Sequence, residues 1–101
     1  MKNQQQEFES RKAAVAKLIE EQLKEGSLGT TLSDIAFAAN KYGLRLSRQN
    51  LHNWLHQVYL PSTWVLRPYI LTLQEKAEGP ESEAGLLLAF FQKLWEASGY
   101  E

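Results

Sequence analysis

From Ser10 onward the apolar residues recur at spacings of three and four, in blocks separated by capping residues, glycine or proline. No block alternates with a period of two. A chain so patterned buries stripes of helix and not faces of a sheet, so the expected class is all-α. The first block, residues 10–25, carries Ala14, Val15, Leu18, Ile19 and Leu23, with Ser10 as its expected N-cap and Gly26 as its stop. Thr31 and Asp34 stand in capping-box positions before a second helix from Leu32 to Tyr42, ended by Gly43. Ser47 caps a third, from Arg48 to about Gln57, again with a polar residue, Asn50, three positions on. Ser62 opens a fourth that runs to about Ala77 and contains Pro68, which is expected to interrupt it or begin its regular part. The fifth runs from about Glu83 to Ser98.

At 101 residues the chain suits one domain. The expected organisation is a flexible polar N-terminus (1–9), a main domain (10–78) and a C-terminal helix for packing or dimerisation (79–101). The absence of cysteine excludes disulfides, cysteine-ligated zinc, iron–sulfur clusters and a thiol nucleophile. The polar opening residues do not read as a secretory signal, and the longest apolar run is far shorter than a membrane span. A cytoplasmic location with no membrane partner is therefore expected.

The net charge of -1 is unevenly placed. Residues 35–74 contain Lys41, Arg45, Arg48, Arg67 and both histidines but no acid, whereas residues 75–101 hold two basic groups and six acids. Forty residues without a carboxylate suggest an electropositive face within a neutral protein. Chance and a buried segment are the plainer explanation.

The third helix sharpens this. At 100° per residue, Leu51, Leu55 and Val58 fall within about 60° of each other, with Trp54 beside them. Gln49, His52, Asn53 and His56 occupy the other side, flanked by Arg48 and Asn50 at the capped end. Such a front can enter a major groove, because Gln and Asn pair with adenine and Arg forks onto guanine. An ordinary solvated helix face is the competing reading.

Two helices joined by a short turn at Gly43, the second polar outside and apolar inside, resemble a helix-turn-helix. The residues IAFAANKYG (35–43) and SRQNLHNWL (47–55), followed by a Pro61-Ser62 start to the next helix, are similar to the Cro/CI-type family of lambda-repressor-like DNA-binding domains. The resemblance covers roughly residues 12–77, with a connection about two residues longer than usual and an unusual Pro68. It implies a compact five-helix domain with its helix-turn-helix at helices 2 and 3. Arg48, Gln49, Asn50, His52 and Asn53 would contact bases; Lys41, Arg45, Ser47, His56 and Arg67 would contact phosphate, with Tyr59 a further candidate. Double-stranded DNA is the implied partner, and a repressor-like transcriptional regulator the implied function.

Leu86, Leu87, Leu88, Phe90, Phe91, Leu94 and Trp95 cover more than one face of the fifth helix. Either that helix is sandwiched in the monomer core, or its spare face forms an interface. The expectation taken is a homodimer through Leu87, Phe90, Phe91, Leu94 and Trp95, with two recognition helices ~34 Å apart; a protein partner on the same helix is the other use of such a face.

Other chemistry finds little support. His52 and His56 stand four apart, but no Glu follows and no further His or Cys exists, so no metal is assigned. No glycine-rich phosphate loop and no Ser/His/acid grouping is present, so neither a catalytic residue nor a cofactor is expected. The alternative function is a helix-turn-helix-derived protein-binding module, such as a small adaptor or antitoxin. It draws on the low net charge, on Trp54, Tyr59 and Trp64, expected at the surface, and on the apolar last helix.

Overall fold

Helix α1 (Lys2–Glu25) starts eight residues before Ser10, the expected cap of its apolar block. The computed structural model describes the backbone of residues 2–100 and the side chains of residues 4–100. The N-terminal segment expected to be flexible is helical over residues 2–9, and Ser10 lies inside the helix rather than at its cap. The cause is local. Residues 2–9 contain no Gly or Pro, and their charges pair along the helix: Glu7 with Arg11 at 3.7 Å and Glu9 with Lys12 at 3.4 Å. Lys12 also lies over the Phe8 ring, 4.6 Å from its centre.

Four further helices complete the described residues: α2 (Leu32–Asn40), α3 (Arg48–Leu55), α4 (Thr63–Lys76) and α5 (Glu83–Ala97). No strand occurs among the described residues, so the fold is all-α. Both capping boxes form. Thr31 Oγ1 accepts from the Asp34 amide and Ser47 Oγ from the Asn50 amide, with the Asp34 and Asn50 side chains reaching back to the caps. Pro68 neither breaks nor begins α4, which runs through it. The carbonyl deprived of a donor there is that of Trp64, and both residues are solvent-exposed.

Val15, Ile19, Ile35, Leu51, Leu66, Leu73, Leu87, Phe91 and Leu94 form one core with their neighbours. Helix α5 packs mainly on α4 and also on α1 and α2, while α3 packs on α1 and α2. This corrects the expected dimer surface. Leu87, Phe90, Phe91 and Leu94 are all buried within one chain, and Trp95 is half-buried with its ring edge-on to Tyr100 at 5.1 Å. A helix with neighbours on three sides needs apolar residues on more than one face, and the packing of α5 within one chain accounts for the burial of Leu87, Phe90, Phe91 and Leu94. Helix α5 fills the same core as α1–α4, the packing role of the two expected for residues 79–101.

Where α5 begins, Gly85 lies against the backbone of the Gly79-Pro80 loop, and a Cβ there would collide with the Gly79 carbonyl.

Candidate nucleic-acid interface

The turn between α2 and α3 is built from backbone closure and one side chain. Gly43 adopts φ +82°, the left-handed conformation in which glycine carries no Cβ penalty. The Gly43 amide donates to Asn40 O and the Leu44 amide to Ala39 O, closing the end of α2. Asn40 Nδ2 donates at 2.7 Å to both Ala36 O and Leu46 O, tying the last turn of α2 to the approach to α3. Leu44 and Leu46 point into the core on either side of exposed Arg45. The Arg45 carbonyl accepts from Tyr69 Oη of α4 at 2.8 Å, so the backbone at Arg45 is fixed while its guanidinium meets solvent. Burial holds the Tyr69 phenol above its ordinary pKa. Asn40 has no role expected from the sequence and Tyr69 only a place in the apolar pattern of the fourth helix; their hydrogen-bond partners lie across a turn or a helix, beyond any periodicity.

Helix α3 then presents a polar front. Gln49 Nε2 donates to Asn53 Oδ1 at 3.1 Å, and Asn53 Nδ2 donates to Tyr59 Oη at 2.9 Å. This relay orients both amides. His52 and His56 lie beside each other, ring centres 4.2 Å apart and tilted by 42°. Arg48 is exposed on the first turn and makes no ion pair among the described residues.

Several expected contacts are placed differently. Asn50 is turned onto the cap, accepting from Ser47 Oγ at 2.7 Å, so Ser47 and Asn50 shape the helix start rather than reach outward. Lys41 is engaged by α5: its Nζ lies 3.0 Å from Glu83, which also accepts from Tyr42 Oη at 3.1 Å. Burial first, and then this carboxylate, raise the Tyr42 phenol above its usual value. Arg67 lines a groove of about 550 Å³ between α4 and α5, with Leu71, Gln74, Trp95 and Glu96, and does not join the α3 front. His56 caps the far end of α3, some eight residues or ~12 Å from Arg48. The structure thus brings together Arg45, Arg48, Gln49, His52, Asn53 and Tyr59 on and beside α3, with His56 against His52 at its far end.

Two apolar residues exchange places relative to the sequence reading. Trp54 is in the core and Val58 is exposed. Helix α3 stops at Leu55 because Gln57 turns left-handed, with φ +61°. The Gln57 amide donates to Trp54 O and the Val58 amide to Asn53 O, so the chain leaves the helical course before Val58. A residue with a Cβ is strained there. Gln57→Gly is expected to stabilise the protein by about 0.5–1 kcal/mol, the relief of strain partly offset by a freer unfolded chain. Urea denaturation checks this, and an unchanged or lowered midpoint contradicts it.

No helix of the described residues is long and apolar enough to cross a membrane, and none of their His, Asp and Glu side chains gather into a group of three that could hold a metal ion. No family model, curated protein or solved structure matches the chain.

Proposed function

We propose that the protein binds double-stranded DNA sequence-specifically, with α3 in the major groove and two copies acting together as a transcriptional regulator. The observation that carries this reading is the α3 front. Exposed Arg48 and Gln49 and half-buried His52 and Asn53 form a row on a helix whose back is held by Leu51 and Trp54, within an acid-free stretch. The relay from Gln49 through Asn53 to Tyr59 restricts the amide rotamers before any ligand arrives, lowering the entropic cost of a bidentate contact to adenine. Arg48, which makes no ion pair among the described residues, supplies a fork for guanine or phosphate. The sequence resemblance of residues 35–55 to a helix-turn-helix supports the same reading, since those residues form α2, the turn and α3.

Selection of bound duplexes from a random pool tests the proposal. A recovered consensus, palindromic for a two-fold complex, is the expected result; no enrichment at low salt overturns it. Arg48→Ala or Gln49→Ala is then expected to cost about 1–3 kcal/mol on the consensus and to relax preference at one or two positions. Equal loss on all sequences contradicts base contact.

One observation favours a protein partner instead. Phe37 on α2 is 69% exposed, with Lys41 over its ring at 5.3 Å. Binding to a partner that survives high salt and Arg48→Ala, and is lost in Phe37→Ala, supports that second reading.

A further inference from the structure

Helix α4 carries an outward stripe that the monomer leaves uncovered. Trp64 is 83% exposed and Leu71 54% exposed, with exposed Pro68 between them. These residues, spaced four and three apart, lie one above another on a single face, and Glu75 continues the line. Arg67 flanks it. Neither Arg67 nor Glu75 makes an ion pair among the described residues. The groove lined by Arg67, Leu71, Gln74, Trp95 and Glu96 runs along the α5 side of this stripe.

We infer that the outer face of α4 is a two-fold interface with a second copy of this chain, the two α4 helices antiparallel. This names the surface for the homodimer in the proposed function, but it stands on α4 alone and is measured without DNA. The charges select the orientation. In a parallel pair Arg67 stays eight residues, ~12 Å along the axis, from Glu75 of the other copy, and no ion pair forms. In an antiparallel pair centred between Pro68 and Leu71, Arg67 of each copy falls within one turn of Glu75 of the other, giving two reciprocal ion pairs. The helix dipoles then oppose as well. Trp64 of one copy lies at the Gln74 end of the other's groove, whose volume of about 550 Å³ accepts an indole. Affinity comes from covering Trp64 and Leu71, whereas exposed ion pairs contribute mainly orientation. One helix-on-helix contact falls short of the ~800 Å² per partner of a standard interface, so the dimer is weak and concentration-dependent.

Sedimentation of the full chain from micromolar to millimolar concentration, without DNA, tests this. A monomer–dimer equilibrium is expected, with Leu71→Arg weakening it at least about tenfold. Arg67→Glu and Glu75→Arg each weaken it, and the double reversal restores it. All three residues are exposed, and a thermal melt by circular dichroism verifies that the variants fold. Because the chain lacks cysteine, Leu71→Cys introduces one thiol and is expected to give a disulfide-linked dimer, whereas Phe37→Cys is not. A monomer throughout the range overturns the inference, as does a dimer indifferent to Leu71→Arg or one cross-linked through Phe37→Cys. A dimer in a chain that selects no DNA removes the proposed function and leaves this interface standing; a monomer that binds DNA does the reverse.

Discussion

Phe91→Ala is expected to destabilise the protein by about 3–5 kcal/mol, a large share of the ~5–15 kcal/mol that holds a domain folded. Phe91 is fully buried, at the junction of α5 with α4. Its ring meets Tyr69 edge-on at 5.4 Å and Phe90 at the same separation, so truncation removes aromatic contacts as well as apolar area. The effect should travel, since Tyr69 uses its hydroxyl to fix Arg45 in the turn before α3. Urea unfolding should show a lower midpoint with little change in slope, and the loss should be the same at low and high protein concentration. A loss that grows with concentration would return Phe91 to an intersubunit contact, the role expected from the sequence. A loss under about 1 kcal/mol would contradict its place in the core.

Local rules made much of this fold readable. Thr31 with Asp34 and Ser47 with Asn50 satisfy helix-end amides within four residues, so both helix starts are fixed by neighbours in the chain. What escaped the reading depends on partners far away or on a break in regularity. Lys41 and Glu83 are 42 residues apart, and only the packing of α5 on α2 brings them to 3.0 Å. A helix that continued to Gln57 would bury Val58 and leave Trp54 at its flank; the left-handed end after Leu55 sends Val58 outward and leaves Trp54 to complete the buried line. The breadth of apolar residues on α5 was visible, but periodicity on one helix does not distinguish three neighbours in the same chain from a second copy. Of the candidate site, the α3 front was legible because it stays on one helix. Asn40 was not, because its importance lies in bonding Leu46 O across the turn.

Affinity for a selected duplex should fall roughly a hundredfold between about 50 and 200 mM salt, a slope near −3.6 on logarithmic axes. That value comes from the placement of the cations. Of the four basic residues in the acid-free stretch, Lys41 is held by Glu83 and Arg67 lies in the α4–α5 groove. Arg45 and Arg48 remain on and beside α3, so two copies bring about four cations onto the duplex, at phosphate or in the groove, each displacing nearly one counterion. Lys41→Ala should therefore leave the slope unchanged, although composition alone makes Lys41 an equal contributor. Arg45→Ala should reduce the slope by about two in the two-copy complex and weaken all sequences alike, because phosphate contact carries no base information. Fluorescence anisotropy titrations at several salt concentrations decide between these outcomes. A slope near −7 would show Lys41 and Arg67 on the DNA as well, and would require the duplex to extend beyond the α3 front. A slope near zero would leave Arg45 and Arg48 as solvated surface and remove DNA as the ligand of this face.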